Sequence, residues 1–434
     1  MDQSRAQTSA SSPRATSEGP GLRDLSGYQY LVLAAAWMGW IFDSMDATIY
    51  ALVMMPALRE LLGPHGATQD IGWYGGIIFS IFLVGWALGG ILFGILADYL
   101  GRARTMAITI LIYAVFTGAA GFSHSWGELA LYRFLTALGI GGEWAAGATL
   151  VAEVWPESLR VKGAGVLQSA WGCGYFLGAG IYSLLAAQSW RVMFYVGVIP
   201  AFVALLVRLK VREPERWIAT RQALRERGFT LLELFRESTR RDTLVGSALA
   251  FVAVFGLWGA TNWTPTLVRE LLQGSALDEA ALGRKVSLAV MALNGGAIAG
   301  YLAFPPLAER LGRRGAFLVM MLGSAIILPL TFLVPHSFTT VLVLLPVLGF
   351  FNNGLFSGFP IYLPEIFPTR IRATGAGFCF NVGRVLAAAG PFLTGYLVAH
   401  LGTFARAASA IALIYVLGCA VLPFARETKG QQLA

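Results

Sequence analysis

"GILADYLGRAR", residues 94–104, returns in altered form as "PPLAERLGRRG", residues 305–315. Leu96, Ala97, Leu100, Gly101 and Arg102 match Leu307, Ala308, Leu311, Gly312 and Arg313, and Asp98 answers Glu309, at an offset of 211 residues. A second pair, "EVWPESLRVKGAG" from Glu153 and "EIFPTRIRATGAG" from Glu365, keeps Glu, Pro, Arg and the GAG triplet at an offset of 212. Two independent segments at nearly one offset indicate two parallel copies of one unit.

The unit is membrane-embedded. Of 434 residues, 56% are hydrophobic and 13% charged, against about 25% charged in soluble domains. About 20 apolar residues cross a bilayer as a helix. The apolar runs predict spans at 30–57, 72–97, 105–122, 128–153, 163–187, 191–209, 243–265, 286–308, 315–334, 338–363, 374–399 and 403–424. The expected fold is an all-α membrane protein: twelve transmembrane helices in two pseudo-symmetric six-helix bundles, residues 28–209 and 242–425. Polar residues 210–241 read as a cytoplasmic linker loop and 426–434 as a cytoplasmic tail. Residues 1–27, rich in Ser, Ala, Pro and Arg without an apolar core, read as a disordered cytoplasmic tail rather than a signal peptide.

Basic residues set the orientation. With the N-terminus inside, 24 of the 32 Lys and Arg fall on inner segments and six on outer ones, leaving Arg133 and Arg384 within spans. That asymmetry predicts both termini in the cytoplasm, and it accounts for the net charge of +8 without a nucleic-acid partner. Cys173, Cys379 and Cys419 lie in apolar runs without metal-ligand spacing and read as packing residues.

"GILADYLGRAR" resembles the signature between spans 2 and 3 of the major facilitator superfamily, and residues 305–315 resemble its second-half copy. The likeness extends over roughly residues 28–425. "RFLTALGIGGEW", Arg133 to Trp144, resembles the span-4 signature of bacterial organic-acid and metabolite–proton symporters. The acid pair of "FDSMD", residues 42–46, is similar to that of aromatic-acid and nicotinate-type members. The resemblance implies a cytoplasmic latch at Asp98, Arg102 and Arg104 with Glu309 and Arg313, completed in each half by Glu153 with Arg160 and Glu365 with Arg372. The same residues also read as topology determinants and surface ion pairs.

Within the spans, ionisable residues are exceptional. An acid at the bilayer centre costs about 2.5–3.5 kcal/mol on insertion scales, yet "GWIFDSMDATIY", residues 39–50, carries Asp43 and Asp46 one turn apart. Two acids on one helix face do not readily ionise together and titrate as a unit, as a proton carrier does. At about 1.5 Å per residue, Asp43, Glu143 and Arg384 all fall near mid-membrane. Asp43, Asp46 and Glu143 are therefore the candidate proton-coupling residues. The alternatives are a helix-to-helix hydrogen bond for an aspartate and pairing with Arg133 for Glu143. The four histidines, His65, His124, His336 and His400, fall near outer span ends and do not compete.

Arg384 has no counterpart in the first half, where the offset places Gly172. Its planar fork suits a carboxylate, either a solute's or that of Asp43 or Asp46. Asn381, Asn352 and Asn353 are candidate hydrogen-bonding partners of a solute, and Phe42, Trp144, Trp171 and Phe380 are candidate stacking partners.

Neither H-E-x-x-H, G-x-S-x-G nor a P-loop occurs, so the reading is a transporter, not an enzyme, without metal or cofactor. The expected function is secondary active, proton-coupled uptake of a small organic anion, such as an aromatic or other monocarboxylate, by alternating access. Alternatives are proton-coupled transport of a neutral solute such as a sugar, or export by antiport. The expected partners are the anion, protons and membrane lipid, for a monomer in the bacterial inner membrane.

Overall fold

The structure, a computed structural model, describes residues 21–63, 68–185, 188–208, 210–219, 230–260, 264–273, 275, 279–334, 337–387, 397 and 400–433. Span 1 is the helix Gly27–Leu62, span 2 Thr68–Leu100, span 3 Arg102–Ala120, span 4 Trp126–Val154, span 5 Arg160–Leu185 and span 6 Trp190–Arg208. In the second half span 7 is Glu237–Ala260, and spans 8 and 9 are two helices within Glu279–Leu333, parted by a non-helical kink at Gly312. Span 10 is Phe338–Gly354 continued by Phe359–Ile366, span 11 begins at Arg372 and is helical to Ala387, and span 12 is Phe404–Ile411 continued by Leu413–Val421. His65, His336 and most of the expected end of span 11 lie outside the described residues.

Local chemistry sets the ends. Ser26, Ser125, Ser337 and Thr403 precede spans 1, 4, 10 and 12, and each side chain accepts from the backbone N–H three residues on. Each cap satisfies one of the orphan donors of a first turn. The two repeated turns are made by glycine: Gly101 has φ 111° and Gly312 φ 79°, the latter breaking the run between spans 8 and 9. No side chain adopts such angles readily, so the glycine is the invariant element of each turn. The end of the bundles that carries both turns is the motif face.

Among the described residues, seven helices are long and apolar enough to cross a membrane by length and hydropathy alone. Spans 8 and 9 count there as one, Ala281–Leu333. Span 5 is not among the seven, its Gly-rich, Gln168-bearing sequence being less apolar. Leucines and valines such as Val84, Leu88 and Leu92 on span 2, or Leu413, Val416 and Leu417 on span 12, remain exposed in stripes that suit lipid.

The two halves meet along two seams near the motif face. On one, Gly90 of span 2 lies against Asn381, and Gly94 against the backbone of Ala373, on span 11. On the other, Gly165 of span 5 lies against Pro305, and Gly172 against Ile298, on span 8. Small residues let these backbones close up. The linker is not the plain loop expected of residues 210–241. Residues 215–219 and Thr230–Glu233 are helical, and Trp217 is buried and donates to the Asp98 carbonyl at 2.7 Å.

Candidate functional site

Between the halves lies a cavity of about 30 Å³. The first half lines it with Trp40, Trp86, Gln168 and Trp171, the second with Val254, Leu257, Trp258, Tyr301, Phe356, Phe380 and Arg384. Three indoles form one wall, with ring centroids 5.1 Å apart for Trp40 and Trp171, 5.7 Å for Trp86 and Trp171, and 6.5 Å for Trp40 and Trp86. Arg384, 6% exposed, donates to Asn381 Oδ1 at 2.6 Å. Its guanidinium carbon lies 4.1 Å from the Trp86 ring centre and 5.0 Å from that of Phe380. Among the described residues it has no carboxylate partner. Ligand pockets are typically about 300–1,000 Å³, so the halves must part for a solute to lodge here.

The two aspartates of span 1 are both buried but differently placed. Asp46 Oδ2 accepts from Arg133 at 2.7 Å and Oδ1 from Thr117 at 3.0 Å. The Arg133 guanidinium is boxed by the rings of Tyr50 and Phe82, 4.8 and 4.5 Å from their centres. Arg133 therefore pairs with Asp46 rather than Glu143, and Arg384 pairs with neither aspartate. Asp43 is fully buried. Glu143 lines a smaller cavity with Trp40, Trp144 and Leu167. Trp144 reaches across the halves to stack on Phe380, 4.2 Å between ring centres.

At the motif face, Glu153 accepts from Arg102 of its own half, at 3.1 Å, and from Arg372 of the other, at 2.8 Å. Glu365 mirrors it, accepting from Arg313 of its own half at 2.8 Å and from Arg160 of the other at 2.9 Å. The expectation of one network within each half is thereby corrected: each acid clasps one arginine from each half. Asp98 adds a second kind of bond between halves. The N–H and hydroxyl of Thr374, at the start of span 11, donate to its Oδ2 at 2.7 and 2.6 Å, and Arg102 lies 3.1 Å from its Oδ1.

Two expected members stand outside the clasp. The Arg104 side chain is exposed, and its backbone N–H donates to Glu213 instead. Glu309 is half-buried, and its Oε1 has no hydrogen-bond partner among the described residues. The reason lies in the repeat: the position equivalent to Thr374 is Lys162, whose side chain is exposed rather than turned to the seam.

Of the expected solute-binding set, Arg384, Trp171 and Phe380 line the cavity and Asn381 holds the arginine. Asn352 instead accepts from Tyr415 within the second half. Neither Asn353 nor Phe42 lines the cavity; Phe42 packs among apolar residues of the first half. Sequence reasoning missed Trp40, Trp86, Gln168, Trp258, Tyr301 and Phe356, which carry no spacing signal. It also missed Glu213 and Glu427, which accept from the first backbone N–H groups of spans 3 and 9 at 3.0–3.2 and 2.9–3.1 Å. Their signal was present: Arg212-Glu213 and Arg426-Glu427 follow spans 6 and 12 at one further repeat offset.

The Major Facilitator Superfamily sequence pattern matches residues 36–283 and 280–432. A protein of Cupriavidus pinatubonensis described as "Probable 4-methylmuconolactone transporter" is 32% identical over 409 residues, covering 91% of this chain and 90% of its own. The "Cis,cis-muconate transport protein" of Acinetobacter baylyi is 33% identical over 329 residues, 74% of this chain and 78% of its own. Among solved structures, the proton:xylose symporter XylE, bound to 6-bromo-6-deoxy-D-glucose, superposes with a TM-score of 0.78 at 18% identity, covering 94% of this chain and 98% of that one. At that identity the likeness speaks for the fold alone.

Proposed function

The chain belongs to the major facilitator superfamily and is an integral membrane transporter, not an enzyme, and on that premise we propose that it takes up a small organic anion together with protons by alternating access. One observation carries the choice of an anion. Arg384 is a buried cation between the halves, walled by aromatic faces, with no carboxylate partner among the described residues. A buried charge is normally paired, and a neutral solute such as a sugar would leave this one without a counter-charge. The relatives named for muconolactone and muconate transport, both carboxylic acids, fit the same reading.

The proton has its own place. Asp46 and Arg133 form a buried ion pair within the first half, apart from the cavity. Protonation of Asp46 removes the charge that holds Arg133 and frees span 1 relative to span 4. Asp43, one turn nearer the cavity-lining Trp40, and Glu143, beside the same tryptophan, are further proton-accepting groups in this scheme. The clasps of Glu153 and Glu365 and the Asp98 bond to span 11 hold the motif face shut, and their release lets the solute leave on that side. In this reading that face is cytoplasmic, as the excess of basic residues on it favours, and the chain works as a monomer in a bacterial inner membrane.

The test is uptake of radiolabelled benzoate and nicotinate by reconstituted vesicles with and without an imposed pH gradient. Accumulation of a monocarboxylate that rises with an inward proton gradient is expected. Equal uptake with and without the gradient removes proton coupling, and failure of every carboxylate removes the anion reading.

A further inference from the structure

Buried indole N–H groups normally find an acceptor, and most described here do. Trp37 donates to Ser169 at 3.3 Å, Trp144 to Gln168 at 3.4 Å and Trp155 to the Gln29 carbonyl at 3.0 Å. Trp190 donates to Glu60 and Trp217 to the Asp98 carbonyl, both at 2.7 Å. Two buried indoles break the pattern: Trp40 Nε1 and Trp86 Nε1 have no acceptor among the described residues. Both line the central cavity, at 4% and 2% exposure. The third donor left over on the same wall is Arg384 Nε, whose guanidinium is stacked on the Trp86 ring.

Three buried donors without acceptors around one cavity are an incomplete hydrogen-bond set, and a group that supplies only acceptors completes it. A carboxylate is such a group. Among the described residues, Arg384 is the one charged residue lining the cavity. The rest of the wall, apart from Gln168 and Tyr301, is ring faces and aliphatic side chains. Trp40 and Trp86 belong to the first half and Arg384 to the second, so one bound carboxylate would join the halves.

Resting on the anion reading above, we propose that the indole N–H groups of Trp40 and Trp86 join Arg384 as donors to a single solute carboxylate, so that the site selects monoanions with an uncharged, flat remainder. A second carboxylate finds no second cation among the described lining residues and loses its hydration without compensation. This sets the chain apart from its muconate-transporting relative, since muconate bears two carboxylates.

The experiment is calorimetric binding of benzoate, nicotinate, terephthalate and benzyl alcohol to the purified full-length chain, to Trp40→Phe and to Trp86→Phe. Phenylalanine keeps a ring and deletes the N–H. Each variant should bind benzoate about 10- to 100-fold more weakly, as expected for loss of one hydrogen bond to a charged group. Benzyl alcohol, of similar shape but neutral, should be little changed, so the benzoate-to-alcohol ratio falls. A merely loosened site would weaken both alike and overturn the proposal. The unmodified protein supplies a test that needs no variant: terephthalate should bind at least about tenfold more weakly than benzoate. Unchanged benzoate affinity in both variants, or terephthalate as tight as benzoate, overturns the indole-donor proposal while leaving the anion reading intact. No binding of benzoate or nicotinate to the unmodified protein overturns both.

Discussion

The Asp46 carboxylate lies 2.7 Å from the Arg133 guanidinium, and both side chains are buried inside the first bundle. Among the described residues neither is shared with the second bundle, and Thr117 supplies the remaining bond to the acid at 3.0 Å. The ion pair is thus separate from Arg384 and its cavity, so the proposed scheme assigns proton and solute to different buried sites.

The first prediction follows from that separation. Asp46→Asn imitates the protonated acid and leaves Arg133 permanently released. Solute exchange should persist, whereas accumulation driven by a pH step should vanish. Counterflow and pH-driven uptake in the same vesicles check this beside Asp43→Asn. If the Asp46→Asn protein still concentrates solute in response to the pH step, Asp46 does not carry the coupling proton. A structural penalty accompanies it, since leaving one member of a buried pair uncompensated costs about 3–5 kcal/mol.

The second prediction concerns the clasps. Glu153→Gln removes the charge that Arg102 and Arg372 share. Glu365→Gln does the same for Arg313 and Arg160. Each loss spans both halves, so either variant should favour opening at the motif face. A cysteine at Ser169, buried in span 5, should react faster with an impermeant maleimide applied from that face. The Arg104→Ala variant should react as the parent does, because the Arg104 side chain is exposed. Equal labelling in all variants would remove the gating role.

A third prediction tests the glycine turns and their acidic caps. Gly312→Ala forces a side chain into a backbone region nearly restricted to glycine and drives its Cβ into the Glu427 carboxylate. A loss of about 1–3 kcal/mol is expected from the backbone alone, and likewise for Gly101→Ala against Glu213. For Glu427, partial burial raises the carboxyl, but the N–H groups of Arg313, Lys429, Arg314 and Thr428 outweigh it and hold it below the ordinary value of 4.5. A carboxyl depressed in the folded state stabilises the protein above its unfolded value and loses that contribution as pH falls through the folded one. The melting difference between the parent and Glu427→Gln should therefore be full near pH 7 and shrink below about pH 4.5. A pH-independent difference would contradict the capping role.

The fold was legible because hydropathy fixes where a helix must cross and the repeat fixes how many times. Gly101 and Gly312 were legible for the same reason, since a turn with positive φ leaves one residue type available. Arg384 and Asp46 stood out because charge within an apolar run is rare. Partner choice was not legible. Whether Arg133 meets Asp46 or Glu143 depends on how spans 1 and 4 rotate about their axes, and sequence spacing within one helix does not fix that. Trp40 and Trp86 were hidden for another reason: a tryptophan in a membrane helix looks alike whether its N–H is satisfied or not. Asn352 misled because its amide oxygen is taken by Tyr415, a neighbour brought close only by packing of spans 10 and 12.

The last prediction is for Arg384. Its Nη1 donates to Asn381 and its face rests on Trp86, so the guanidinium is held in position from both halves. Arg384→Ala removes the cation that a carboxylate would meet, and binding should weaken by about 2–5 kcal/mol, as for loss of one partner of a desolvated, hydrogen-bonded pair. Arg384→Lys restores the charge but neither the planar fork nor the stacking surface, so it should recover only part of the loss. Asn381→Ala should have a smaller effect in the same direction, because it frees the fork without discharging it. Calorimetric binding of benzoate to the three variants, with thermal melting to confirm folding, orders them. The required order is parent tightest, then Asn381→Ala, Arg384→Lys and Arg384→Ala. Full recovery by lysine would mean that charge alone matters and that the stacked geometry is incidental. Unchanged binding in Arg384→Ala would mean that the solute's charge is met elsewhere, and the proposed site would be wrong.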